Sequence, residues 1–160
     1  MKSNNIRDSP PPLRDYQQAD LAKMQNYEGR AALMVLATGL GKTRIYTEYI
    51  RWDVLNNNHN CLILSHREEL VYQPLTYLQD LPCGVELAEK HAHGEPVISA
   101  SVQSLVGRLD KYNPYEIDTI IVDEAHHAAA PTYRRVLEYF PSAQIFGFTG
   151  TAHRGDGVGL

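Results

Sequence analysis

Two periodicities alternate along this chain. Leu13, Tyr16, Met24 and Tyr27 recur at helical spacing, which predicts a helix over 13–28 with these four on one face. The apolar run Ala31-Ala32-Leu33-Met34-Val35-Leu36 predicts a buried strand. A helix is expected from Lys42 to about Leu55, a turn over the Asn-rich stretch 56–60, and a second strand at Cys61-Leu62-Ile63-Leu64. The stretch 67–79 is helical but must kink or restart at Pro74. Shorter strands are expected at 85–88 and 96–100, and a helix at 101–109. Asp118-Thr119-Ile120-Ile121-Val122 is β-branched and apolar, the mark of a buried parallel strand. Pro131 suits the first turn of a helix whose Tyr133, Val136, Leu137 and Phe140 fall at i, i+3, i+4 and i+7. Residues 144–148 make the last strand.

Helices alternating with strands predict an α/β domain with a mostly parallel sheet flanked by helices. Residues 1–12 are polar and end in Pro10-Pro11-Pro12, which reads as a flexible arm with a stiff end. The remaining 13–160 is one domain's worth of chain.

Composition narrows the picture little. At 43% hydrophobic the chain can bury a core, and its 15 basic and 19 acidic residues leave a net charge of −4. That balance excludes nucleic-acid binding by bulk positive charge, so any such contact must be local. Cys61 and Cys83 form neither a disulfide framework nor a metal spacing, which favours a reducing compartment, in the first instance the cytoplasm. His91 and His93 lack partners at ligand spacing and read as surface loop. Nothing resembles a signal peptide or a membrane span.

The chemistry enters with two motifs. Thr38-Gly39-Leu40-Gly41-Lys42-Thr43 follows the first strand and opens a helix. Glycines there let backbone approach an anion, and free N–H groups at a helix start favour phosphate. Lys42 would reach the β- and γ-phosphates, and the Thr43 hydroxyl would ligate Mg²⁺. The full phosphate-loop pattern starts with Gly, where this chain has Leu36. A chance strand–turn–helix is the plainer alternative. Eighty-one residues after Lys42, Asp123-Glu124-Ala125-His126 ends the β-branched strand. A carboxylate at that end of a strand lies where open α/β sheets bind ligands. Asp123 could hold Mg²⁺ and Glu124 could orient or deprotonate a water. A solvated acidic turn is the alternative here. Together the motifs make nucleoside-triphosphate chemistry the leading reading.

Taken in order, the pieces resemble the first RecA-like lobe of a superfamily 2 DEAD/DEAH-box helicase, of the restriction-enzyme-subunit and DNA-repair type, over about 13–157. Asp123-Glu124-Ala125-His126 spells the DEAH box. The resemblance implies a single RecA-like P-loop NTPase lobe that uses ATP and Mg²⁺, with Lys42, Asp123, Glu124 and His126 as its catalytic set. Leu13-Arg14-Asp15-Tyr16-Gln17 is similar to the adenine-sensing segment, with Arg14 and Gln17 at the base; a Gln amide can both donate to and accept from an adenine edge. Ser65, His66 and Arg67 match a motif that touches the nucleic-acid backbone, and Ser101 and Gln103 another. Ser101 is also a plain helix N-cap. Gly147-Phe148-Thr149-Gly150-Thr151-Ala152-His153-Arg154 resembles the motif that couples hydrolysis to strand movement, through Thr149, Thr151 and Arg154, with His126 opposite. It departs from the usual pattern at Gly150 and Ala152.

The same resemblance implies DNA, or RNA, as partner, together with a second RecA-like lobe carrying an arginine finger, for which 160 residues leave no room. Such a finger is worth ~10³–10⁵ in rate. The lobe alone is therefore expected to fold, bind ATP and hydrolyse it slowly. A nucleotide-gated interaction module without catalysis is the second reading. An unrelated P-loop kinase or GTPase is disfavoured by the late acidic box and by Gln17.

Overall fold

The computed structural model describes residues 11–36 and 41–150. Helix α1 (Asp15–Asn26) precedes strand β1 (Ala31–Val35) and helix α2 (Lys42–Asn57). Then come β2 (Cys61–Ser65), α3 (Glu68–Tyr72), β3 (Cys83–Glu86), β4 (Val97–Ser101) and α4 (Val102–Val106). The last elements are β5 (Thr119–Asp123), α5 (Pro131–Tyr139) and β6 (Gln144–Thr149). All six strands are parallel, in the order β1-β6-β5-β2-β4-β3. The expected α/β architecture is thus present as one parallel sheet with helices on both faces. Among the described residues, no helix is long and apolar enough to cross a membrane.

Side-chain alternation divides the core in two. Leu62, Leu64, Ile120 and Val122 point to the face covered by α4 and α5, where they meet Tyr133, Val136 and Phe140. Ile63, Ile121, Phe146 and Phe148 point to the other face and pack on Ile45, Tyr46, Tyr49 and Ile50 of α2 and Met24 of α1. Burial on both faces is why β2 and β5 read as unbroken apolar runs.

Two expectations need correction. The first apolar run is a strand, as expected, but not a buried one. Among the described residues, strand β1 lies at the sheet edge, paired with β6 alone; it is half-buried, with Val35 47% exposed. An apolar run marks a strand, but it does not report how many strands flank it or how far its faces are covered. The face proposed for the first helix is also wrong. Met24 is buried, but Tyr16 and Tyr27 are exposed, and the residue that accompanies Met24 inward is Gln17. An apolar pattern cannot see a polar side chain that is buried because it is hydrogen-bonded.

Smaller boundaries moved for local reasons. Helix α2 runs two residues past the expected end, to Asn57, because Asn58 takes a left-handed conformation (φ 56°) and its N–H caps the last turn. Pro74 converts the stretch after α3 into a 3₁₀ turn, Gln73–Tyr77, as its missing N–H requires. Pro131 sits in the first turn of α5, as expected.

Candidate functional site

Because all strands are parallel, their C-terminal ends share one edge, and the sequence motifs gather there. β5 stands between β6 and β2, so residues following Asp123 face those following Ser65 on one side and Phe148 on the other.

The first contact joins the two motifs. Lys42 Nζ lies 2.7 Å from Asp123 Oδ1. Asp123 is 1% exposed and faces α2, because it continues the parity of Ile121. Its other oxygen accepts a hydrogen bond from Tyr46 Oη at 2.9 Å. Burial first, and then the Asp123 charge, push the Tyr46 phenol far above its ordinary range, so it remains a donor. Thr43 is half-buried in the first turn of α2, next to that phenol. A buried carboxylate that has drawn an ammonium, with the Thr43 hydroxyl beside the phenol that the carboxylate holds, is a donor set suited to a hard cation.

Gly41 caps α2 in the left-handed region, at φ 84°. A Cβ there would stand 2.5 Å from Gln17 Nε2 and 2.9 Å from Tyr16 Oη, so only glycine fits. Gln17 donates to the Gly41 carbonyl at 3.3 Å and accepts from the Arg14 N–H at 2.8 Å. The Gln17 amide therefore spans α1 and the phosphate-loop end in this state, rather than standing open to a base. Arg14 itself is exposed. Thr38, Gly39 and Leu40, like Thr151 and Arg154, lie outside the described residues.

Glu124 begins a second cluster. Its backbone is left-handed (φ 57°, ψ 62°), an uncommon state for a residue with a Cβ and one that collects at functional sites. Its carboxylate meets Arg67, His66 and His127. Oε2 accepts from Arg67 Nη2 at 3.2 Å, while Oε1 stands 3.9 Å from both His66 Nδ1 and His127 Nε2. The rings of His66 and His127 lie 4.0 Å apart, and those of His126 and His127 4.2 Å. Burial, then the neighbouring imidazoles His66 and His126, hold His127 below the usual histidine range. His126 itself is exposed.

Four buried polar atoms at this end have no hydrogen-bond partner among the described residues: Ser65 Oγ, His66 Nδ1, Tyr133 Oη and Asp123 Oδ1, the last answered by its ion pair with Lys42. Such groups are rare and call for a reason. Burial, with Asp123 and Glu124 nearby, raises the Tyr133 pKa well above its ordinary value.

The residues proposed to touch nucleic acid divide. Arg67 and Gln103 are exposed and His66 is partly so, but Ser65 is fully buried and Ser101 is 4% exposed. Ser101 Oγ accepts from the Ser104 N–H, the ordinary N-cap of α4. Both serines sit at strand ends inside the sheet, which takes them away from a surface ligand in this state. Thr149 is buried at 7% exposure, and its carbonyl accepts from Leu36 N–H at 3.1 Å, tying the last strand to the start of the phosphate loop. Reading the sequence missed Tyr46, Tyr133 and His127. Tyr46 is one helical turn past Lys42 and could have been found that way; the other two carry no local signal.

A family model described as "Type III restriction enzyme, res subunit" matches residues 11–154. The chain is 39% identical to a putative mitochondrial ATP-dependent helicase, irc3, of Schizosaccharomyces pombe, over 92% of its own length. It is 37% identical to a putative ATP-dependent helicase, IRC3, of Saccharomyces cerevisiae, also over 92%. The chain spans only about a quarter of these relatives, 27% and 24% respectively. Among solved structures, the Hef helicase domain of Pyrococcus furiosus superposes with a TM-score of 0.72 at 24% identity, covering 93% of this chain and 34% of that one.

Proposed function

This chain belongs to the type III restriction enzyme res-subunit family, as the first RecA-like lobe of a superfamily 2 helicase, and we propose that it is the ATP-binding lobe of an ATP-dependent nucleic-acid helicase or translocase. The observation that carries the reading is the 2.7 Å contact between Lys42 and Asp123, residues from two motifs meeting at the ligand-binding edge of the sheet. In this reading Lys42 leaves Asp123 for the β- and γ-phosphates, while Asp123 and Thr43 hold Mg²⁺. Bound there, Mg²⁺ neutralises charge across the phosphates. Glu124 takes a proton from the attacking water, with Arg67 orienting its carboxylate. Gln17 and Arg14 sense the base, and Gly39, Leu40 and Gly41 cradle the phosphates with backbone N–H groups. His126, Thr149, Thr151 and Arg154 couple hydrolysis to movement along a strand. Arg67, Gln103 and His66 are the reachable groups for a DNA or RNA backbone.

A second RecA-like lobe, elsewhere in a longer protein or on a separate chain, completes the catalytic site. The two free thiols suit a reducing compartment such as the cytoplasm.

Calorimetric titration with Mg·ATP and a panel of other nucleotides tests this. The chain should bind ATP in preference to GTP and release phosphate slowly. Lys42→Ala should weaken ATP binding on the order of 100-fold, as expected for loss of a charged hydrogen-bond donor. Unchanged affinity would remove the phosphate-loop assignment. ATP binding with no hydrolysis, even when a second lobe is supplied, would favour the nucleotide-gated interaction module.

A further inference from the structure

We propose that His66, Glu124 and His127 form a binding site for a zinc-class divalent cation, separate from the Asp123 and Thr43 oxygens. One ligand atom from each residue lies within 4.8 Å of the others. Glu124 Oε1 is the centre, 3.9 Å from both His66 Nδ1 and His127 Nε2. Tetrahedral ligands 2.0–2.1 Å from zinc stand about 3.3 Å apart, so side-chain adjustments of roughly half an ångström on these two pairs bring the set toward coordination.

Three further features favour a cation. His66 Nδ1 is buried without a hydrogen-bond partner among the described residues, a costly state that a metal bond relieves. The Glu124 carboxylate, on a left-handed backbone, stands against both imidazoles, with Oε1 3.9 Å from each. Arg67 Nη2 holds only the far oxygen, Oε2, at 3.2 Å, the kind of supporting hydrogen bond that orients a carboxylate ligand. Two imidazoles and one carboxylate suit zinc-like ions and discriminate against Mg²⁺ and Ca²⁺, which prefer oxygen.

The site itself stands on this geometry. Its consequence rests on the role proposed for Glu124: with Oε1 bonded to a metal and Oε2 held by Arg67, that carboxylate is a much weaker base toward water. Occupancy would then be an off-switch on hydrolysis that leaves nucleotide binding at Lys42 in place.

The test uses Co²⁺, whose visible absorption reports low-symmetry nitrogen and oxygen coordination, and Zn²⁺ by calorimetry, both in excess Mg²⁺. One equivalent should bind saturably. His127→Gln and His66→Gln should each lower affinity at least about 10-fold, the lower end of what losing even a supporting group costs a metal site. A His91→Gln/His93→Gln double variant should titrate like the parent, because those imidazoles lie on another loop. No saturable binding, equal binding by both single variants, or loss in the double variant would each overturn the site. Circular dichroism of every variant separates lost ligands from lost fold: if both single variants unfold, protection of His66 and His127 from diethylpyrocarbonate by Zn²⁺ in the parent decides it. Mg·ATP titration of the same samples keeps the two readings apart. Failure to bind ATP with Co²⁺ still bound would remove the nucleotide reading alone.

Discussion

Two carboxylates, each 1% exposed, sit at opposite ends of strand β5 and against opposite ends of helix α2. Asp53, near the end of α2, meets the start of β5. It accepts from Asn57 Nδ2 at 2.8 Å and Thr119 Oγ1 at 2.7 Å, has His59 Nδ1 at 2.9 Å, and draws the Cys61 thiol at 3.5 Å. Asp123 meets the start of α2 at the other end of β5. It has one phenol and one ammonium, and the ammonium belongs to a side chain 14% exposed. Ser65 Oγ, His66 Nδ1 and Tyr133 Oη, without a hydrogen-bond partner among the described residues, belong to that end. The same helix and strand thus make a closed polar network at one end and an open one at the other. Closed networks hold a fold together; open ones leave interactions for a ligand to complete.

Stability measurements should break this comparison if it is wrong. Asp53→Ala leaves the Asn57 and Thr119 donors without their acceptor and should cost about 3 kcal/mol or more. Asp123→Asn should change stability by less than about 1 kcal/mol, because Lys42 can turn toward solvent once the charge is gone. Urea denaturation of both variants provides the check. Equal losses would mean that Asp123 is as structural as Asp53.

Glu86 sharpens the contrast, since it ends strand β3 on the same sheet edge as Asp123 but lies off the site. It is fully buried, with Lys111 Nζ at 2.6 Å, Arg108 Nη1 at 3.0 Å, Tyr112 Oη at 2.5 Å and the Ala92 N–H at 3.2 Å. Burial alone would raise its pKa, but the hydrogen bonds from Lys111, Tyr112 and Arg108 bring it below the ordinary value. A depressed native pKa adds stability that is complete above the unfolded value, about 4.3, and is lost as pH falls through the native one. Glu86→Gln should therefore cost about 2 kcal/mol at neutral pH and flatten the decline of stability below about pH 4. An unaltered acid limb in thermal melts across pH would show that this network contributes nothing. The edge would then be open at Glu86 as well as at Asp123.

The smallest effect is expected at Gln17, which touches the open end from α1. Gln17→Ala removes hydrogen bonds to Gly41 and Arg14 and should cost about 1 kcal/mol. It should also flatten any preference for ATP over GTP, read by calorimetry with each nucleotide. A stability loss with the preference intact would make Gln17 a strut between α1 and the phosphate-loop end.

The primary structure by itself determined the class of fold and the chemistry on offer. Apolar runs bounded by turns marked β2, β5 and β6 closely, because a strand buried on both faces has no polar positions to confuse the reading. Lys42 and Asp123 were legible as a pair because a phosphate loop and a strand-end carboxylate each have a local form. Tertiary structure decided the rest. Placing β1 at an edge, burying Gln17, and setting β5 beside β2 so that Glu124 meets Arg67 from 57 residues away are outcomes of strand order. Strand order reflects which pairings bury the most apolar surface over the whole chain, a sum that no local window contains.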